Sequence, residues 1–147
     1  MRLVLTAVIV AGMAIAGCGS AEQQAASGGD SRGEWILDDL DAAMTLAEES
    51  GKPLLMDLYA DWCGPCRTLG EEYFPSEELQ PLLANFVLAR IDIDTPSGGE
   101  IAARYGVSSI PTVIIAEADG TEITRLVGTT PTVTQYAEAL QEIVDSL

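Results

Sequence analysis

Asp57-Leu58-Tyr59-Ala60-Asp61-Trp62-Cys63-Gly64-Pro65-Cys66-Arg67 is the stretch on which the fold turns. Pro53 opens an apolar run, Leu54 to Ala60, interrupted only by Asp57, and its length suits a strand buried on both faces. Cys63 follows after Asp61-Trp62, and the spacing to Cys66 sets the second cysteine about one helical turn further on. A helix is expected from Cys63 to about Phe74, with Pro75 ending it. Gly64 and Pro65 fill its first turn, where the missing N–H of proline does no harm. A cysteine at a strand-to-helix junction meets unpaired backbone N–H groups and the positive end of the helix dipole, and both stabilise its thiolate. Such a thiolate attacks a disulfide to form a mixed disulfide, which a neighbouring thiol resolves. On this reading Cys63 is the nucleophile and Cys66 the resolving thiol.

A zinc site and a static disulfide are the structural alternatives. A closed zinc site takes about four Cys or His ligands. The chain has three cysteines and no histidine, so no metal is expected. A static disulfide is compatible with an oxidising compartment but leaves the surrounding residues unexplained. A C-x-x-C in a βαβ setting is a recognised redox pattern.

Upstream, Trp35-Ile36-Leu37 is a short apolar segment, and a helix is expected from Asp38. Leu40, Ala43, Met44 and Ala47 follow helical spacing there, and Gly51 is its stop. Downstream, Ser76 is placed to cap a helix over residues 77–84, and residues 86–93 read as a second buried strand. Ser97-Gly98-Gly99 reads as a loop, followed by a short helix over residues 100–105 that Gly106 closes. Residues 111–116 read as a third strand. Asp119-Gly120 signals a hairpin, and residues 122–127 return as a fourth. Either Thr130 before Pro131, or Thr132 with Gln135, caps a last helix with the stripe Val133, Tyr136, Ala137, Leu140, Ile143 and Val144. This order predicts an α/β domain, a mixed sheet flanked by helices.

The stretch from Asp57 to Arg67 resembles the active-site strand and helix of thioredoxins, and Ser109-Ile110-Pro111-Thr112 resembles their cis-proline loop. The likeness runs from Glu34 to Leu147 and implies the thioredoxin fold and thiol–disulfide exchange, with no cofactor. Tyr59-Ala60-Asp61-Trp62-Cys63, with Tyr73-Phe74-Pro75-Ser76 behind it, is similar to one branch. That branch is the C-terminal periplasmic domain of bacterial transmembrane thiol:disulfide interchange proteins, which passes electrons to envelope partners. Gly64-Pro65 departs from at least some of its members and is the dipeptide of reducing thioredoxins.

The resemblance implies three further roles. Asp57 would be the buried acid behind the cysteines. A desolvated carboxylate has a raised pKa and could take the proton of Cys66. A local hydrogen bond at a strand end is the alternative, although burying an unneeded carboxylate is costly. Pro111 would be cis and face the cysteines, leaving the Ile110 backbone to pair with an extended substrate; the alternative is a trans proline at a strand start. Trp62 would flank the site as a contact surface, or serve only in packing. Trp62, Gly64, Pro65, Ile110 and Pro111 are the substrate-contact residues this implies.

The N-terminus reads as an address. Met1-Arg2 is a short basic start, and Leu3 to Ala16 is almost wholly apolar. A helical span needs about 20 apolar residues, so this run suits a signal peptide better than a permanent anchor. Ile15-Ala16-Gly17-Cys18 resembles the lipobox of bacterial lipoproteins. That resemblance implies a signal peptide over 1–17 and a lipid on Cys18, so that the protein is anchored to a membrane rather than spanning it. Gly19 in place of an aspartate favours the outer membrane where the source has one. Residues 18–33, rich in Gly, Ser, Ala and Gln, read as a flexible tether, and residues 34–147 as the domain.

The chain's 147 residues allow one ordinary domain beyond these segments. Hydrophobic residues make up 48% and aromatics only 5%, so the core must be chiefly aliphatic. The formal charge is −16, and Arg2 is the only base before Cys18. With no basic cluster, nucleic-acid binding is not expected. The acidity fits a solvated surface first and a surface for basic partners second. The leading expectation is a membrane-tethered, extracytoplasmic reductase of protein disulfides. No nucleotide-binding glycine motif or third redox cysteine is visible, so electrons must come from a partner such as a membrane thiol transporter. The alternatives are a disulfide-forming oxidase, and a substrate-binding or chaperone-like module with an incidental dithiol. Nothing demands a dimer, and a monomer is expected.

Overall fold

A computed structural model describes residues 34–147. The expected signal peptide, Cys18 and the tether lie outside the described residues. Trp35–Leu37 forms β1, so the short apolar segment pairs as a strand. Asp38 follows with φ 54°, a left-handed conformation that Asp tolerates better than most residues. Its amide donates to the Arg90 carbonyl at 2.9 Å, and its carboxylate accepts from the Asp92 amide at 2.7 Å. The first helix, α1, therefore starts at Leu40 and runs to Ser50, capped by the Asp39 carboxylate on the Ala42 amide at 2.9 Å. Gly51 closes it with φ 67°.

Leu54–Tyr59 is β2. The expected single helix after Cys63 takes two forms: α2 over Gly64–Arg67, then a π-helical turn over Thr68–Tyr73, in which the Phe74 amide donates to the Leu69 carbonyl at 2.9 Å. The helix expected from residue 77 is shorter than its capping signal implied. Ser76 Oγ accepts from the Leu79 amide at 3.2 Å, but it closes only a turn, and α3 covers Gln80–Leu83. Val87–Asp92 is β3, Pro96–Arg104 is α4, Thr112–Ala116 is β4, Glu122–Val127 is β5 and Val133–Val144 is α5. Thr132 caps α5, its hydroxyl accepting from the Gln135 amide at 3.3 Å.

The expected loop at Ser97-Gly98-Gly99 is instead the first part of α4. Thr95 is its N-cap, accepting from the Gly98 amide at 3.0 Å, and Pro96 lies in the first turn. The glycine answers a tertiary demand. A Cβ on Gly98 would lie 1.9 Å from the Asp92 carbonyl oxygen at the end of β3. Gly98→Ala should therefore destabilise the domain by about 1–3 kcal/mol, where an ordinary helix site would gain from alanine. A denaturant midpoint unchanged from wild type would contradict this packing.

The five strands form one sheet in the order β1-β3-β2-β4-β5. β1, β3 and β2 are parallel, β4 runs antiparallel to β2, and β5 pairs antiparallel with β4. Alternation along central β2 divides the core. Leu54, Met56 and Leu58 pack with Ala43, Ala47, Ile101 and Ala102 of α1 and α4. Leu55 packs on the other face with Leu69, Tyr73, Leu83, Tyr136 and Leu140. By the same alternation Asp57 points to that second face, the one the cysteine-bearing helix covers.

Candidate active site

The turn after β2 delivers the first cysteine. The Cys63 amide donates to the Ala60 carbonyl at 3.1 Å, and the Cys63 carbonyl accepts from the Arg67 amide at 3.2 Å. Cys63 is the N-cap residue of α2, and its Sγ accepts from the Cys66 amide at 3.2 Å. That bond strengthens when the sulfur carries charge, so it favours a Cys63 thiolate. Cys63 and Cys66 are joined as a disulfide with an S–S distance of 2.08 Å. The pair is asymmetric: Cys63 is 5% exposed and Cys66 fully buried. Gly64 and Pro65 between them face solvent.

Asp57 is fully buried. Burial pushes its carboxyl up to about 6, and the Arg90 guanidinium partly opposes that rise. Arg90 Nε donates to Asp57 Oδ2 at 2.9 Å, while Asp57 Oδ1 has no hydrogen-bond partner among the described residues. The guanidinium also lies over the Tyr59 ring, 4.2 Å from its centroid. Tyr136 from α5 buries its hydroxyl without a partner among the described residues, and burial, with a smaller contribution from the Asp57 charge, keeps that phenol neutral far above its ordinary range.

The cis-proline loop supplies the other wall. The Ile110–Pro111 bond is cis. The Thr112 hydroxyl donates to the Ser109 carbonyl at 2.8 Å, and the Gly128 amide donates to the Pro111 carbonyl at 2.8 Å, which ties the loop to β4 and to the end of β5. Trp62 is 69% exposed rather than packed in the core, and its indole N–H donates to Asp94 Oδ2 at 2.8 Å. Trp62, Ile93, Val107, Ser108, Ser109 and Ile110 line an open groove of about 280 Å³. Trp62 adjoins Cys63 and Ile110 adjoins Pro111, so two of the residues expected to contact substrate sit on one groove.

Sequence reasoning missed Arg90, Tyr136 and Asp94. Arg90 had a usable signal. It is a lone base in a largely apolar strand, as Asp57 is a lone acid, and the β2–β3 register sets the two directly opposite each other. Tyr136 and Asp94 carried no such mark.

The comparisons with known proteins agree with this geometry. Residues 40–143 match the thioredoxin-like domain family. The chain is 40% identical over 89 residues to the thiol:disulfide interchange protein DsbD of Cronobacter sakazakii, covering 59% of this chain and 15% of that protein. It thus spans only about 15% of the length of such relatives. A thioredoxin H-type from Oryza sativa subsp. indica is 35% identical over 91 residues, 62% of this chain and 70% of that one. Among solved structures, a Thermus thermophilus thioredoxin superposes with TM-score 0.64 at 27% identity, covering 75% of this chain and 87% of that one. The C-terminal domain of Neisseria meningitidis DsbD in the reduced form gives TM-score 0.59 at 25% identity, covering 73% of this chain and 98% of that one. The fold, the matched family and the joined C-x-x-C pair lead to one identification: the chain belongs to the thioredoxin-like domain family and is an oxidoreductase whose active-site disulfide is Cys63–Cys66.

Proposed function

We propose that the chain is a membrane-tethered, extracytoplasmic reductase of disulfides in exported proteins. The observation that carries this reading is the asymmetry of the pair over a buried acid. Cys63 lies at the surface end of the helix with an amide on its sulfur, Cys66 is sealed, and Asp57 shares the covered sheet face. The Cys63 thiolate attacks one sulfur of the client disulfide. That S–S bond breaks, one client thiolate leaves, and a mixed disulfide forms. Asp57, ionised at neutral pH, takes the proton of Cys66, whose sulfur then attacks Cys63 and expels the second client thiolate. The client gains two electrons and, once its thiolates are protonated, is a dithiol; the chain ends as the Cys63–Cys66 disulfide. An external thiol donor, which we take to be a membrane thiol transporter, returns the two electrons.

Trp62, Gly64, Pro65, Ile110 and Pro111 serve as the client-contact surface in this reading, with the Ile110 backbone pairing an extended client segment. The chain acts as a monomer and does not engage nucleic acid. The name of the DsbD relatives, thiol:disulfide interchange protein, supports disulfide exchange as the chemistry. Gly64-Pro65, the dipeptide of reducing thioredoxins, supports the reducing direction. Titration of the pair against a thiol redox buffer tests it. A potential near about −270 mV is expected, and one near about −120 mV would instead make the protein an oxidant.

Cys18 in its lipobox-like setting supports the tether. Cys18→Ser should release the protein from the membrane fraction, and mature protein that stays membrane-bound without Cys18 would overturn the lipid anchor.

A further inference from the structure

We propose that Gly70 is a positioning residue: by lacking a side chain it opens a slot in the π-helical turn that seats the Arg90 guanidinium against Asp57. The inference extends the active-site reading above, since Asp57 is the acid proposed there to take the Cys66 proton. Gly70 does not have the usual reasons for being glycine. It is not among the described glycines with positive φ, and it sits within a helical run where alanine is the better former. What sets it apart is its neighbour. A Cβ built on Gly70 would lie 2.3 Å from Arg90 Nη2, 2.8 Å from Arg90 Cζ and 2.9 Å from Arg90 Nη1. All three are atoms of one planar group, so that group occupies the space a side chain would take.

The same plane has two further constraints. Its Nε donates to Asp57 Oδ2 at 2.9 Å, and its centre lies 4.2 Å from the centroid of the Tyr59 ring. The guanidinium is rigid and flat. A methyl group at residue 70 cannot displace Nη2 without turning the whole plane, and turning the plane takes Nε off the carboxylate. The atoms that must yield belong to the end of a flexible side chain and not to backbone. Gly70→Ala should therefore keep the fold and lose the ion pair. A lysine at residue 90 carries the same charge on a narrow end with no plane to turn, so it should be indifferent to residue 70.

Other groups could affect the titration of Asp57. Arg90 comes from β3, Tyr136 from α5, and Tyr59 follows on β2. Asp38, Asp61 and Asp92 lie close enough to Tyr59 to act on it. The Cys63–Cys66 pair belongs to α2, with Cys63 at its N-cap. In the oxidised protein the cysteines do not titrate, and Tyr136 stays neutral, which leaves Arg90 as the charge that opposes the effect of burial on Asp57.

The test is a double-mutant cycle read at Asp57 itself. The carboxyl carbon of Asp57 is titrated by NMR between about pH 4 and 9 in the full-length oxidised protein, as wild type, Gly70→Ala, Arg90→Lys and both together. Gly70→Ala is expected to move the midpoint up by about one unit or more, the scale of losing an adjacent opposite charge. In the Arg90→Lys background the same change is expected to leave it in place. A midpoint that Gly70→Ala leaves unmoved, or that it moves equally in both backgrounds, overturns the inference. If Gly70→Ala alone fails to fold, a folded double variant supports the slot, and a double variant that also fails overturns it. The rate of mixed-disulfide resolution against pH separates this inference from the reading on which it rests. A shifted NMR midpoint with an unshifted rate profile keeps Gly70 as the seat of Arg90 and removes Asp57 as the proton acceptor.

Discussion

Cys66→Ala is expected to convert the protein from a catalyst into a trap. Cys63 keeps its place at the helix start and its Sγ still accepts the amide bond from residue 66, because that donor is backbone. Attack on a client disulfide therefore proceeds, but no thiol remains to release the client. Mixed disulfides should accumulate to about one per chain, and turnover should fall to the uncatalysed rate. Cys63→Ser removes the attacking sulfur and should neither trap nor turn over. The exposure difference sets the direction, since Cys63 is 5% exposed and Cys66 is sealed. Non-reducing gels followed by mass spectrometry read the result and identify the clients. Trapping through Cys66 in the Cys63→Ser variant would reverse the assignment of the two roles.

The second large effect concerns stability. Asp57 has its carboxyl raised to about 6 by burial, against an ordinary value of 3.8. Between these values the folded chain holds a proton that the unfolded chain has released. Stability therefore falls as pH rises through this window, by about 3 kcal/mol in all. The contribution is fully present below about pH 4 and gone above about pH 7. Asp57→Asn removes the titrating group, so the difference in stability between variant and wild type should grow in favour of the variant across that window. Denaturant unfolding of the oxidised protein at about pH 4 and pH 7.5 measures it. A difference independent of pH would show that Asp57 titrates at its ordinary value. The stability lost at neutral pH has a chemical use in our reading: a buried acid near 6 is ionised when Cys66 must lose its proton, yet basic enough to accept it.

Much of this site was legible because its chemistry is local in sequence. The strand, turn and helix start that hold Cys63 and Cys66 occupy one short run, and Asp57 stands out as the single charge of its strand. The cis-proline loop was legible as a motif. What escaped was set by packing between distant segments. Gly98 read as a loop residue because two adjacent glycines break a helical pattern, whereas here the end of β3 presses on the helix and only glycine fits. Gly70 carries no mark in the sequence for the same reason, since its neighbour Arg90 lies far along the chain on β3. Arg90 is marked in the sequence as a lone base in its strand, but its pairing with Asp57 comes from the β2–β3 register, and a pairing register is not written in either strand alone. The π-helical turn has no sequence signal of the kind that marks an α-helix, so the single helix expected after Cys63 became two forms. Ser76 shows the converse error, in which a correct capping signal closed a turn and not a helix.

In the proposed reaction electrons leave this chain through Cys63, and a single turnover tests that route. The fully reduced protein is mixed with an equal amount of a small disulfide-bonded protein, and free thiols on each are counted over time by mass-tagged alkylation. Wild type is expected to pass two electrons, ending with Cys63 and Cys66 joined and the client a dithiol, and Cys63→Ser to pass none. A Cys63→Ser variant that reduces the client at the wild-type rate would contradict that route.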